Sequence, residues 1–319
     1  MPWIIGIDEA GYGPNLGPLV MTAVTCRVPE AVTSTDLWQS LAKAVRRFSD
    51  PDDGRLVVDD SKLVYSGTSG LADLEAAVWS VLHHGQSQVP DTIQDYLDCV
   101  GSPSCQDLHA ESWFTGKTKV PVAVEGWSKK NAAGLDQACK DGAIQIGPIM
   151  SAVICPPRFN QLLDHWDSKG AVLGHGLKEL LSLRNRWEGD DSIEFVIDKH
   201  GGRNCYFAML QEALGEGMVV AYEEGMNRSA YSVWGLRRAM RFTFQPRADA
   251  EHFCVALASM ASKYLRELLM LEFNSFWQSH LPDLKPTAGY PGDAARFFKK
   301  IKPVAKRLGI AQEAIWRRR

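Results

Sequence analysis

Trp3-Ile4-Ile5-Gly6-Ile7-Asp8-Glu9-Ala10-Gly11-Tyr12-Gly13-Pro14-Asn15-Leu16-Gly17-Pro18-Leu19-Val20 is an apolar strand pattern that ends in two adjacent carboxylates and runs into a glycine-punctuated loop. Carboxylates beside a buried strand are costly unless something positive neutralises them, and a divalent cation does so most completely. The layout therefore predicts a metal site at the end of a strand. Residues 19–28 read as a second strand, apolar, β-branched and stopped by Pro29, so the chain opens with a hairpin that leads a sheet.

A later strand pattern, Ile193-Glu194-Phe195-Val196-Ile197-Asp198, again closes on a carboxylate. Asp249 stands at the start of a long apolar helical pattern over residues 250–277, whose small residues Ala256, Ala258, Ser259, Ala261 and Ser262 allow close approach to a sheet. Each acid has an ordinary use: Asp8, Glu9 and Asp198 can close strands and enter turns, and Asp249 can cap its helix. Four carboxylates at strand ends or a helix start, where α/β sheets gather functional groups, point instead to one shared site.

Helical spacing is expected over residues 37–46, 71–82, 159–166, 177–187 and 206–214, with strands over 143–153, 218–222, 231–234 and 242–244. The ending from Asp293 is helical and basic, with Lys299, Lys300, Lys302, Lys306, Arg307 and Arg317 to Arg319 as charges for solvent or a phosphate backbone. Between residues 84 and 140 periodicity fades around apolar patches at Leu97, Trp113 and Trp127. The domain reading is a core built from residues 1–83 and 141–280, an insertion or subdomain at 84–140, and a helical basic extension at 281–319.

At 319 residues and 45% hydrophobic content the chain can bury a large core. Its formal net charge of −3 gives no overall basic footprint, so any nucleic-acid affinity must come from a local patch. Seven scattered cysteines without a Cys-x-x-Cys pair read as reduced thiols. The start lacks a basic n-region, and Asp8 and Glu9 interrupt the apolar run too early for a signal peptide. No apolar run reaches the roughly 18 residues of a membrane span. The expectation is a soluble, cytoplasmic protein without a membrane partner.

On these residues the chain resembles the type 2 ribonucleases H, the ribonuclease HII family. Residues 8–14 match that family's Asp-Glu-Ala-Gly-Arg-Gly-Pro, with Tyr12 in the arginine's place. Asp60-Ser61-Lys62-Leu63 matches its Asp-Ser-Lys motif, Phe195-Val196-Ile197-Asp198 its strand-borne aspartate, and Arg247-Ala248-Asp249-Ala250 its Lys-Ala/Gly-Asp-Ala segment. The helix that follows, with Lys263 and Arg266, and the later Gly289-Tyr290 are similar to family segments in the same order.

The resemblance implies an α/β, ribonuclease H-like fold: a mixed central β-sheet flanked by helices, here with an inserted segment and a C-terminal helical extension. It implies a metal-dependent endoribonuclease that hydrolyses the RNA strand of RNA–DNA hybrids, or ribonucleotides embedded in DNA, leaving 5′-phosphomonoesters. Asp8, Glu9, Asp198 and Asp249 become the catalytic ligands of two divalent cations, Mg²⁺ or Mn²⁺, because oxygen-only ligation suits hard ions. Gly11, Tyr12, Gly13 and Tyr290 occupy the positions that recognise the ribose 2′-hydroxyl, the group that tells RNA from DNA.

Two departures bear on substrate preference. Tyr12 removes a fixed charge and a fork of donors suited to phosphate, which moves phosphate anchoring to Lys62, Lys199, Arg203 or Lys263. Lys199 stands where the family commonly has glycine, and His200 beside it reads as a surface histidine in a glycine loop. These departures leave room for two other readings, a non-catalytic nucleic-acid-binding protein on the same scaffold and a structure-selective DNA nuclease.

Overall fold

The opening hairpin forms as β1 (Trp3–Ala10) and β2 (Leu19–Arg27), paired antiparallel with Asp8 opposite Thr22. The computed structural model describes residues 1–66, 70–85, 90–123, 129–186 and 189–318. After the hairpin come α1 (Leu37–Ser40), β3 (Val45–Arg46), β4 (Leu56–Val57), α2 (Ser61–Ser66), α3 (Gly70–Gly85), α4 (Ile93–Val100) and α5 (Lys129–Asp141). The second half holds β5 (Gln145–Ile154), α6 (Pro156–Trp166), α7 (Lys169–Leu180), β6 (Ile193–Asp198), α8 (Phe207–Leu214), β7 (Met218–Glu224), β8 (Ser229–Trp234) and β9 (Met240–Gln245). It ends with α9 (Ala248–Glu251), α10 (Phe253–His280) and α11 (Pro291–Leu308).

Seven strands make one mixed sheet in the order β5-β2-β1-β6-β9-β8-β7. β1 pairs antiparallel with β2 on one side and parallel with β6 on the other, and β6 pairs parallel with β9. Each face of the sheet carries its own core. Alternation along β1 sends Ile4 to the layer of α3, α10 and α11, and Ile5 and Ile7 to the layer of α6, α7 and α8. Gly6 lies under α10 itself: a Cβ there would sit 2.2 Å from the carbonyl carbon of Cys254, so the missing side chain lets the helix press onto the strand.

Three expected elements differ, each for a visible reason. The helix expected over residues 37–46 stops at Ser40, and the Arg55 guanidinium donates to the carbonyls of Ala42 and Val45 at 2.8 and 3.2 Å. Val45 and Arg46 instead pair in parallel with Leu56 and Val57. The helical pattern over 250–277 is broken at His252, which is extended (φ −122°, ψ 116°) and tied to the Ser34 hydroxyl at 2.8 Å. The helix expected over 177–187 starts earlier, at Lys169, and tightens into a 3₁₀ turn over Leu181–Asn185. Trp187 lies outside the described residues, as do Trp127 and Arg319.

The stretch whose periodicity fades carries more order than its pattern suggests. α4 opens on a reciprocal capping box between Thr92 and Asp95, and Leu97 and Trp113 are buried. Two buried carboxylates fasten this stretch to the helices beneath it. Glu272 on α10 accepts from the amides of Thr115, Gly116 and Thr118 and from both threonine hydroxyls, and Glu75 on α3 accepts from the amides of Val122 and Ala123 and from the Tyr264 hydroxyl. Such charge-assisted bonds offset the cost of burying the acids. All seven cysteines are free thiols. Among the described residues no helix is long and apolar enough to cross a membrane.

Candidate functional site

Strand register brings the first two acids together. Ile7 is the partner of Ile197 in the parallel pair β1–β6, so Asp8 and Asp198 are the next residues on adjacent strands, roughly 4.8 Å apart between strand axes. Both share the face that carries α10, since Val196, two residues before Asp198, packs against Ala248 and Val255. The amide of Ala248 donates to Asp198 Oδ1 at 2.9 Å, which draws the short turn α9, and with it Asp249, to the end of β6. Asp249 is not the cap of the long helix, a place taken by His252; it is buried within the preceding turn.

Asp8 is buried and its backbone carbonyl accepts from the Ser262 hydroxyl at 3.0 Å, so the small residues of α10 also contact the site. Burial pushes the Asp8 carboxyl well up, and the charges of Glu9, Asp198 and Asp249 add to it. Burial likewise raises Glu9 to about 8, with Asp198 reinforcing and Lys62 opposing. Asp249 is raised to about 6 by burial and by Asp60 and Asp198, and Asp198 is raised by burial against the pull of the Ala248 amide and Lys62. The four acids thus act on one another as a single cluster. Asp60, quoted in the Asp-Ser-Lys motif but not singled out as a site residue, joins its rim, and Lys62 is the cation that bears on it.

The loop after β1 is held from below. Gly11 adopts φ +91°, and a Cβ there would lie 2.5 Å from Arg266 Nε, so only glycine fits. Gly289, at φ +86°, accepts from the amides of Asn15 and Leu16, which places Tyr290 beside the loop; a Cβ on Gly13 would lie 3.7 Å from the Tyr290 ring. Tyr290 is exposed and Tyr12 half-buried, close to Gly201.

Arg317 completes the support. Its guanidinium donates to the carbonyl of Gly11 at 2.7 Å and to that of Pro14, and it lies 4.9 Å over the Phe159 ring. Its backbone amide donates to Asn15 O at 2.8 Å, its carbonyl accepts from the Asn15 amide side chain at 3.0 Å, and Trp316 forms a bridge to Leu16. Burial and Arg266 press the guanidinium down to about 9. Within the basic ending, Lys299, Lys300, Lys302, Lys306, Arg307 and Arg318 are exposed as expected, while Arg317 is buried as a clamp whose local signal is a run of arginines.

Other expected residues lie elsewhere or are otherwise engaged. Lys263 pairs with Glu267 at 2.6 Å and sits 4.1 Å over the Tyr65 ring. Lys199 is buried, bonded to Asn204 at 2.9 Å and to the carbonyl of Gly225, and Arg203 bonds its own loop at Cys205 O. His200 is not a surface residue: it is 2% exposed, packed edge-on against Tyr206 and Phe244, and burial lowers its pKa to about 3. A neutral ring in an aromatic pocket suits packing rather than phosphate binding.

The mixed sheet, with its leading antiparallel hairpin and two following parallel strands, is the α/β arrangement expected from the sequence, with carboxylates at the ends of two neighbouring strands. No family model matches the chain. Over 72 residues, 23% of this chain, it is 32% identical to a ribonuclease HII of Gluconobacter oxydans, and the match spans about a third (35%) of that relative's length. The resemblance read from the motifs is thus repeated in a curated relative.

Solved structures similar to the chain include the ribonuclease HII of a PCNA complex from Archaeoglobus fulgidus (14% identity, 99% of this chain and 94% of that one, TM-score 0.43). The ribonuclease H2 of Pyrococcus horikoshii overlays with 13% identity, 98% and 92% coverage and a TM-score of 0.42. A Bst-RNase HIII in complex with Mn²⁺ overlays with 15% identity, 99% and 66% coverage and a TM-score of 0.43. At these scores the overlays carry no argument of their own.

Proposed function

We propose that the chain is a type 2 ribonuclease H, a divalent-metal-dependent endonuclease acting on RNA–DNA hybrids or on ribonucleotides within duplex DNA. The observation that carries this reading is the mutual electrostatic burden of Asp8, Glu9 and Asp198, at the ends of two neighbouring parallel strands, and Asp249, in the turn bonded to Asp198, beside a loop in which only glycine fits at position 11.

The donor set fits hard cations. It consists of carboxylates, and their raised pKa values mark a cluster short of positive charge. Among the described residues no three His, Cys, Asp or Glu side chains already stand at metal-holding spacing, so the fit rests on donor chemistry and charge. Asp8, Glu9, Asp198 and Asp249 would hold two Mg²⁺ or Mn²⁺ ions, which when bound supply an acidified water and charge stabilisation at the leaving oxygen.

The chain's own residues do the positioning. The backbone of Gly11 and Gly13 approaches the sugar, with no side chain at position 11 to keep it away. The exposed Tyr290 ring beside Gly13 is placed to contact the ribose carrying the 2′-hydroxyl. Lys62, exposed at the rim, offers the charge for a phosphate that the family places on the loop arginine. Tyr12, in that arginine's position, contributes a hydroxyl and a ring in place of a cation.

The test is hydrolysis of an end-labelled RNA–DNA hybrid in Mg²⁺ or Mn²⁺, beside a folded Asp8→Asn variant. Cleavage by the parent that yields 5′-phosphates and is lost in the variant is expected. Tight binding without turnover in either protein refutes catalysis, and equal cutting of branched all-DNA substrates refutes the substrate assignment.

A further inference from the structure

The α10 layer covers β1 and β2 but ends before the far side of the sheet. There β7, β8 and β9 leave one face open, and Met218, Tyr222 and Trp234 are 59%, 66% and 57% exposed. A hollow of about 670 Å³ lies on it, lined by Tyr222, Trp234, Arg228, Arg238, Arg241 and Glu223 among others. The face is the one that carries the acids. Val196 packs toward α10, Thr243 is its register partner on β9, and Arg241 and Thr243 pair with Ser232 and Ala230 on β8.

We propose that this hollow binds an extended nucleic-acid strand that continues from the carboxylate cluster. The polymer's identity rests on the nuclease reading above; its path rests on the sheet. Gln245 is the partner of Asp198, and Thr243, which lines the hollow, is two residues back along β9, roughly 7 Å away. The near rim of the hollow therefore lies about one nucleotide's length from the strand end that carries Asp198, and a strand reaching both passes over Ala248 and Val255, which cover Val196 between them.

The lining suits that occupant. Arg228 and Arg241 are exposed on its lining, Arg238 lines it with its guanidinium held by the carbonyl of Gly189 at 2.8 Å, and the acids are Glu223 and, at the floor near Arg228 and Arg241, Glu194, in a chain whose net charge is −3. Arginines supply flat forks for phosphate oxygens, and Tyr222 and Trp234 supply open rings for bases. The Tyr222 ring is already oriented, its hydroxyl accepting from Ser232 at 3.0 Å. Because every base has a stacking face, such a surface holds a strand without reading its sequence.

The experiment is fluorescence anisotropy of a labelled oligothymidylate of about 20 nucleotides in EDTA, where no metal-dependent cleavage occurs. The Asp8→Asn variant, which removes an acid from the cluster that the strand leaves, is expected to bind no more weakly than the parent. Trp234→Ala and the double variant Arg228→Gln/Arg241→Gln, both at exposed positions and checked for an unchanged melting curve, are expected to weaken binding about tenfold or more. The arginine pair should also lower the slope of log affinity against log salt by about 1.4, at about 0.7 per neutralised phosphate on a single strand. Lys302→Gln, exposed on α11, should change neither.

Unchanged affinity in the hollow variants overturns the proposal. So does a loss of self-association in sedimentation without a loss of oligonucleotide affinity, which makes the face a contact between copies of the chain. Inability of the parent to cleave a hybrid, with binding in the hollow intact, removes the nuclease reading and leaves this one standing.

Discussion

Arg317→Met separates what a buried cation does for stability from what it does for the loop above it. The guanidinium makes two bonds to loop carbonyls, one at 2.7 Å, and lies over Phe159. Hydrogen bonds to a charged group contribute about 1.5–3 kcal/mol each and a desolvated cation–ring contact about 1–2 kcal/mol, together about 4–8 kcal/mol. Against this, the guanidinium is driven from 12.5 to about 9 by burial and by Arg266, a penalty of about 5 kcal/mol at 1.36 kcal/mol per unit. An apolar side chain of similar length gives up both sums. The net loss is expected between about −1 and +3 kcal/mol, a melting shift of no more than about 10 °C.

The local effect is larger. Gly11 O and Pro14 O lose their partner, so opening of the loop is expected to become at least about tenfold more frequent, the equivalent of one lost bond. Hydrogen exchange followed by mass spectrometry reads this directly at Asn15 and Leu16, whose amides are bonded to Gly289 O only while the loop is seated. For a hybrid substrate the same variant should raise KM more than it lowers kcat. Unchanged exchange at those amides, or a melting loss beyond about 10 °C with kinetics intact, refutes the assignment of Arg317 to the loop.

Asp8→Asn should cost about 10²–10³ or more in cleavage rate, as loss of a charge stabiliser does, and should melt no lower than the parent in EDTA because it removes a member of a repelling cluster; full activity in the variant defeats the site. EDTA should abolish cleavage and Mn²⁺ or Mg²⁺ restore it, measured on one labelled hybrid. Glu111, buried and bonded to Trp113 at 3.1 Å, is raised from 4.5 to about 7 by burial, so the folded state holds its proton longer than the unfolded chain. Its contribution should make the protein lose about 1–3 kcal/mol as pH rises from about 4.5 to 7, a slope that Glu111→Gln should flatten in urea titrations across that range. Glu272→Gln replaces a charged acceptor of five bonds and should cost about 3 kcal/mol and expose residues 110–123 to limited proteolysis; resistance equal to the parent contradicts the fastening.

The acid-tipped strands are legible as strands because a short continuous apolar run bounded by a carboxylate and a glycine loop marks a buried strand and its end, and the adjacency of Asp8 and Asp198 then follows from pairing Ile7 with Ile197. The small residues of α10 are legible for the same kind of reason: they announce a close approach, and Gly6 is where it occurs. What pattern does not carry is any bond made at long range. Residues 37–46 have good helical spacing, but Val45 and Arg46 pair instead with Leu56 and Val57 further along the chain. His252 has no local reason to break a helix; Ser34, 218 residues away, holds it. Lys199 and His200 look like loop polar groups, yet the β7–β8 turn and an aromatic pocket bury them. Arg317 is hidden for that reason too, since a buried arginine is spelled like an exposed one.

The fastening of residues 115–123 by Glu75 and Glu272 limits how this molecule can change. Excising that stretch would strand two carboxylates inside the protein, one on α3 and one on the helix that presses on Asp8's strand, each stripped of backbone donors that no solvent replaces. A shorter descendant must therefore alter α3 and α10 in the same step or lose them. The stretch and the two helices beneath it can be lost only together.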